Sequence, residues 1–294
     1  MANTKGIGAL IVTHGGTLTE NWGELFLGAI QDAEIPMPTR IVWLVKGKNA
    51  LPTLPPKIKS LINGDLNEAI AAFESEDIDK IVVVPFYLFS EGPEQNRIRY
   101  TLGLKPVPES GTGLPGFDKS QVLKHKAKII TTPAMDNHQL AIEIMLERAR
   151  TLSRKPEDDA LIIIAKRPDD KSIEAVTKNM NDLTGKLKKQ GGFKEVRYGY
   201  IMEIKRTYIS DSVGDEAARD TRELISLLKT RVKGNVIALP LFLSDGVMNR
   251  TEIPRMIDGL GCLYDNRAFL PHKNVSKWFR ASVDEGMKGF KAEN

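Results

Sequence analysis

The sequence predicts an α/β protein of two similar lobes, each a small parallel sheet flanked by helices, related by internal duplication. Three observations predict it. Short apolar runs alternate with stretches of helical periodicity, the pattern of βαβ units. Lys80-Ile-Val-Val-Val-Pro85 is apolar almost throughout, as a strand covered on both faces must be. After the polar stretch Lys155–Asp159 the order of elements starts again.

Gly8–Thr13 reads as a buried strand ending in the tight turn His14-Gly15-Gly16. Trp22, Leu25, Phe26, Ala29 and Ile30 have helical spacing, giving a helix from Asn21 to about Ala33. Arg40–Val45 is a strand, and Leu54–Ser75 a helix interrupted near Gly64. Lys80–Pro85 and Ala127–Thr132 are strands, and Asp136 or Asn137 caps a helix from Gln139 to Leu152. In the second half, Ala160–Ile164, Glu195–Met202 and Asn235–Pro240 are strands. Ser172–Gln190, Asp215–Val232 and Asn274–Met287 are helices. The expected domains are therefore 1–155 and 156–294.

The halves overlay at an offset of about 150 residues, too long a period for a solenoid. Pro85-Phe-Tyr-Leu-Phe-Ser90-Glu-Gly92 answers to Pro240-Leu-Phe-Leu-Ser244-Asp-Gly246, with one extra residue in the first copy. The strand before His14 answers to the strand before Lys166. Only the first half carries a long Gly- and Pro-rich stretch, Pro93–Lys126, readable as a functional loop or as a tolerated surface insertion.

With 294 residues, 41% of them hydrophobic, the chain can build a packed core. Its net charge of +4 is spread among interspersed acids, so no nucleic-acid footprint is expected. A single cysteine, Cys262, excludes an intrachain disulfide and a cysteine-based metal site. The apolar runs are too short for a membrane span, and Met1–Gly8 does not read as a signal peptide. The expected location is the cytoplasm; a leader removed beforehand would leave no trace.

Ligands of open α/β sheets bind beyond the carboxyl ends of the strands. Two such ends are polar in the first half, Thr13-His14-Gly15-Gly16 and Ser90-Glu91-Gly92-Pro93-Glu94. The glycines allow a bulky planar ligand close to the backbone. A histidine and a carboxylate there can hold a divalent ion or share proton transfer, although a strand-end histidine is also commonly a hydrogen-bonded structural residue. His125 is expected to be exposed, and His138 and His272, at helix starts, to be hydrogen-bonded or to act as caps. No P-loop or dinucleotide fingerprint is present.

The opening strand with His14-Gly15-Gly16 resembles the "LL..GHGS" start of class II tetrapyrrole chelatases, the sirohydrochlorin cobalto- and ferrochelatases. Trp43-Leu44 with Ala50-Leu51-Pro52 resembles that family's "FLE…PSLPEAL" stretch. Val82–Gly92, and again Leu239–Gly246 with Glu252-Ile-Pro254, are similar to its "VVVPLFLSAG" element. The resemblance spans nearly the whole chain in a two-domain form.

What it implies is a lyase-type chelatase inserting Co²⁺ or Fe²⁺, as substrate, into sirohydrochlorin or a related macrocycle on the way to siroheme or cobalamin. No organic cofactor is implied, and the protein would be a monomer or homodimer. The family's two metal-binding histidines fall at His14 and Glu94, so the second is replaced by a carboxylate. Their second-half counterparts are Lys166 and Met248. His14 and Glu94 are thus the implied catalytic and metal-binding pair. Thr13, Gly15, Gly16, Lys46, Ser90, Gly92, Arg97, Arg99 and Glu203 are the implied macrocycle contacts. Arg97 and Arg99 would pair with its carboxylates, or else form a solvated face. Three other readings are a tetrapyrrole or haem carrier without insertion chemistry, a dechelatase, and a two-lobed binding protein of the periplasmic type.

Overall fold

The computed structural model describes residues 6–13, 20–44, 62, 64–107, 119–202 and 216–292. It contains two four-stranded parallel sheets of the same topology. Strands β1 (Ile7–Thr13), β2 (Thr39–Trp43), β3 (Lys80–Phe86) and β4 (Lys128–Thr131) are ordered β2-β1-β3-β4. Strands β5 (Ala160–Lys166), β6 (Glu195–Ile201), β7 (Val236–Leu241) and β8 (Leu263–Tyr264) are ordered β6-β5-β7-β8.

The α-helices of the described residues are α1 (Glu20–Asp32), α2 (Leu66–Ser75), α3 (Pro93–Thr101), α4 (Gln139–Leu152), α5 (Ile173–Gly191), α6 (Glu216–Arg231), α7 (Ile253–Ile257) and α8 (Lys273–Ala292). Among the described α-helices and strands, three were not expected from the sequence: α3, α7 and the two-residue β8. Helix α3 has few apolar residues and opens the Gly- and Pro-rich stretch, so it carries little periodic signal. Much of the expected helix 54–75 lies outside the described residues; the described part starts after Gly64, at a capping box made by Asp65 and Glu68.

In the first sheet alternate residues serve opposite faces, as the pleat requires. Leu10, Val12, Ile81 and Val83 pack against Leu66, Ile70 and Phe73 of α2 and Ile98 of α3. On the other face, the ring of Phe86 stacks on Phe26 of α1 with centroids 5.3 Å apart and meets Phe279 of α8 at 4.9 Å. Trp22 and Trp278 are core residues, as expected. In the second sheet Ile162, Ile164 and Ala238 pack against Ile225 and Leu228 of α6 and Ile253 of α7.

The repeated proline has a structural reason. Pro85 is in register with Val12, and Pro240 with Ile164. Both prolines lie in inner strands, where a missing N–H would normally break the ladder. The carbonyl of Val83 accepts from Thr132, and that of Ala238 from Asp265, so this alternating set of groups faces β4 and β8. Those strands end at Thr131 and Tyr264, one step before the proline's turn comes. The same registers make His14 and Lys166 sequence equivalents, each two residues past the strand position opposite the proline.

The compact units do not follow the contiguous boundary expected at residue 155. One comprises Met1–Met135 with Ser276–Asn294, the other Asp136–Val275. Helix α4 follows the first sheet in sequence but packs on β7 and α5 of the second unit. Most of α8 follows the second sheet but belongs to the first unit. Its Gly286 allows that packing: a Cβ there would stand 2.3 Å from Cγ1 of Val82.

Candidate functional site

In the first unit the carboxyl ends of β1 and β3 lie side by side, with Thr13 in register with Phe86. Thr13 is fully buried. Its hydroxyl donates to the Phe86 carbonyl at 3.4 Å, and its own carbonyl accepts from Leu44 N–H at 2.7 Å. Thr13 therefore ties the strand ends together and offers no surface to a ligand. His14, Gly15, Gly16 and Lys46 lie outside the described residues.

Beyond β3 the chain turns through residues 87–92 into α3. Tyr87 is buried in the core cluster of this unit. Burial drives its phenol pKa upward, and the nearby Glu94 carboxylate adds to the effect while Arg97 opposes it. Tyr87, Glu94 and Arg97 are thus electrostatic neighbours. The phenol stays protonated at any physiological pH. Glu94 is half-buried in the first turn of α3, where a negative charge is favoured by the helix dipole.

Ser90 and Arg99 hold the turn rather than present themselves outward. The Ser90 hydroxyl accepts from Ala134 N–H at 2.8 Å. The Arg99 guanidinium donates to the Ser90 carbonyl at 2.8 Å and pairs with Glu91 at 3.1 Å. Arg97, half-buried on the same helix, has no hydrogen-bonded or ion-paired partner among the described residues. Gly92 has φ 153° and ψ 169°, a conformation essentially closed to other residues.

Gln95 was missed by the sequence reading. It is 9% exposed and donates to the Phe89 carbonyl at 2.6 Å. A signal for it exists in the repeat: three residues after the matching glycine the second half has Asn249, which is fully buried. The Gly92 carbonyl accepts from Asn96 and the Gly246 carbonyl from Arg250, so the two glycines occupy the same helix-start position. Glu94 and Met248 are therefore equivalent, as the motif overlay implies.

In the second unit the corresponding region is occupied by the protein's own polar contacts. Asn249 accepts from Gly246 N–H at 2.8 Å and donates to Asp245 at 2.8 Å. Burial tends to raise the Asp245 carboxyl, but hydrogen bonds from Arg250, Asn249 and Ala268 overcome it and hold it below the ordinary value. Arg148 of α4 is 5% exposed and donates to the carbonyls of Arg267 and Ala268. Desolvation lowers its pKa to about 10, which leaves it charged at neutral pH. A cavity of about 470 Å³ opens beside β6 and α6, lined by Arg167, Tyr198, Tyr200 and Asp220. Glu203 follows the lining residue Met202 but lies outside the described residues.

The other histidines have structural partners. Nδ1 of His138 accepts from Leu140 N–H at 3.1 Å, and Nδ1 of His272 from Asn274 N–H at 3.0 Å, so both cap helices, and the cap of α4 is His138 rather than the expected Asp136 or Asn137. His125, expected to be exposed, is half-buried between the carbonyls of Ala127 and Leu102. Among the described residues no three His, Cys, Asp or Glu side chains form a metal-binding group, and no described helix is long and apolar enough to cross a membrane.

No family model matches the chain, and no curated protein matches it in sequence. Solved structures do. The chain superposes on SirB from Bacillus subtilis with Fe³⁺ at a TM-score of 0.63 and 14% identity, covering 95% of both chains. It superposes on the sirohydrochlorin chelatase SirB from Bacillus subtilis subspecies spizizenii in complex with cobalt at 0.61 and 13%, covering 97% of both. CbiX, described as the terminal enzyme of siroheme biosynthesis in denitrifying bacteria, follows at 0.51 and 16%, over 95% of this chain and 98% of its own. The protein has the fold of these chelatases, over essentially their full length.

Proposed function

We propose that the protein is a chelatase that inserts Co²⁺ or Fe²⁺ into sirohydrochlorin or a related tetrapyrrole. The observation that carries this reading is Glu94. On a chelatase fold, it stands in the first turn of α3, two residues after the helix-start glycine, where the resemblance calls for a metal ligand. Insertion replaces two pyrrole N–H protons with the metal, so the site must strip the ion of water and accept two protons. His14 and Glu94 supply an imidazole and a carboxylate, donors suited to borderline divalent ions and able to take up protons. Lys46 and Arg97 complete the macrocycle-contacting set proposed for the first unit, with Arg97 available to pair with a macrocycle carboxylate. Thr13, Ser90 and Gly92 act beneath the binding surface, and Gly15 and Gly16 give a flat ligand close access to the backbone. The working protein would be a cytoplasmic monomer or homodimer.

A second reading, a tetrapyrrole carrier or a dechelatase, is favoured by the replacement of the family's second histidine with Glu94 and by Lys166 and Met248 in the second half. The two are separated by following the macrocycle absorption spectrum with Co²⁺ or Fe²⁺. We expect turnover above background and a loss of about a hundredfold in His14→Ala, the scale of a removed acid–base group. Turnover equal to the uncatalysed rate refutes insertion, and an unimpaired His14→Ala refutes the role given to His14. Tight macrocycle binding without turnover supports the carrier, and demetallation of a preformed metal complex the dechelatase.

A further inference from the structure

We infer that Gln95 and Arg99 are positioning residues that lock α3 across the Gly92 hinge and so set Glu94, leaving Arg97 as the arginine of α3 that meets the substrate. The division of labour rests on the chelatase reading; the lock itself does not. Gly92 lacks a side chain and holds a backbone conformation that glycine reaches and leaves easily. Helix α3 would pivot there unless something spans the joint. Two side chains one helical turn apart do so. Gln95 reaches back to the Phe89 carbonyl at 2.6 Å, and Arg99 to the Ser90 carbonyl at 2.8 Å and to Glu91 at 3.1 Å. The far side of the joint is fastened in turn, because the Ser90 hydroxyl holds Ala134 N–H. Glu94 lies between the hinge and both anchors.

The second unit repeats the device with different residues. Asn249 spans Gly246 from the position equivalent to Gln95, and Arg250 pairs with Asp245 on the far side. Both copies of the scaffold, which share the serine, the acid and the glycine of this turn but differ in the helix residues that follow, bridge the glycine with a buried amide and an arginine. Arg99 is therefore engaged within the protein, whereas Arg97 has no such partner among the described residues.

The test uses the full chain and four variants, Arg97→Gln, Arg99→Gln, Arg99→Lys and Gln95→Met. Insertion kinetics with Co²⁺ and sirohydrochlorin are combined with amide hydrogen exchange over residues 89–96. We expect Arg97→Gln to raise the macrocycle KM about tenfold, the effect of losing one charge-assisted hydrogen bond, with exchange unchanged. Arg99→Gln and Gln95→Met should raise the metal KM and lower kcat, leave the macrocycle KM alone, and speed exchange at 89–96 by about tenfold. Arg99→Lys should recover part of both. An Arg99→Gln variant that raises the macrocycle KM as Arg97→Gln does, or clamp variants with unaltered exchange, overturn the inference. If the wild-type protein shows no turnover, the chelatase reading fails by itself, and the exchange measurement alone decides the lock.

Discussion

Gly92→Ala, set beside Gly246→Ala, offers a matched pair at equivalent positions of one duplicated scaffold. At Gly92 the backbone sits at φ 153° and ψ 169°, which costs a residue with a Cβ about 1–3 kcal/mol. The added methyl would stand 2.6 Å from Oε1 of Gln95. Gln95 is itself buried and bonded to Phe89, so moving it aside forfeits about 1 kcal/mol more. The two contributions come to about 2–4 kcal/mol, or a fall in Tm of about 5–15 °C for a unit of this size. At Gly246 a Cβ meets nothing within 4 Å and φ is not positive, so alanine should change stability by less than about 0.5 kcal/mol. Differential scanning calorimetry of both variants against wild type measures the pair. Equal losses, or a neutral Gly92→Ala, would refute the argument that the first turn is conformationally constrained and the second is not.

Two further perturbations test the structural roles of polar residues. Arg148→Met keeps an apolar stem but leaves the buried Ala268 carbonyl and the part-buried Arg267 carbonyl without this donor, so denaturant titration should show a loss of about 1–3 kcal/mol; a neutral result would mean that the loop before α8 is held by other contacts. His138 caps α4 in its neutral form, and burial, then Lys186, hold its pKa below the usual histidine value. The folded protein therefore binds this proton less readily than the unfolded chain. The contribution is complete above about pH 6.5 and is lost as pH falls from there towards the depressed folded value. His138→Asn supplies a cap that does not titrate, so its unfolding midpoint should fall less than that of wild type between about pH 7 and 5; parallel pH profiles would show that this histidine is not linked to stability.

The elements that could be read in the sequence are those whose signal is local. The strands containing Ile11, Val83, Ile163 and Leu239 announce themselves as apolar runs because a parallel sheet is covered on both faces. The equivalence of Pro85 with Pro240, and of Glu94 with Met248, was also legible, since it needs only the order of residues around a glycine. Helix α3, the span most relevant to the site, was not; it is short, polar and begins inside a stretch whose composition signals a loop.

The sequence by itself thus determined a duplicated α/β chain with strand-end polar residues in its first half. Only the tertiary structure decided which unit α4 and α8 join. An amphipathic stripe specifies that a helix is buried, not against which sheet, and the choice is made by details such as Gly286 fitting over Val82. It likewise separated Arg97 from Arg99. The two are identical in sequence terms, and only the path of the turn brings the Ser90 carbonyl and Glu91 within reach of one of them. Hydrogen bonds between groups brought together by a turn depend on backbone direction, which residue type alone does not encode.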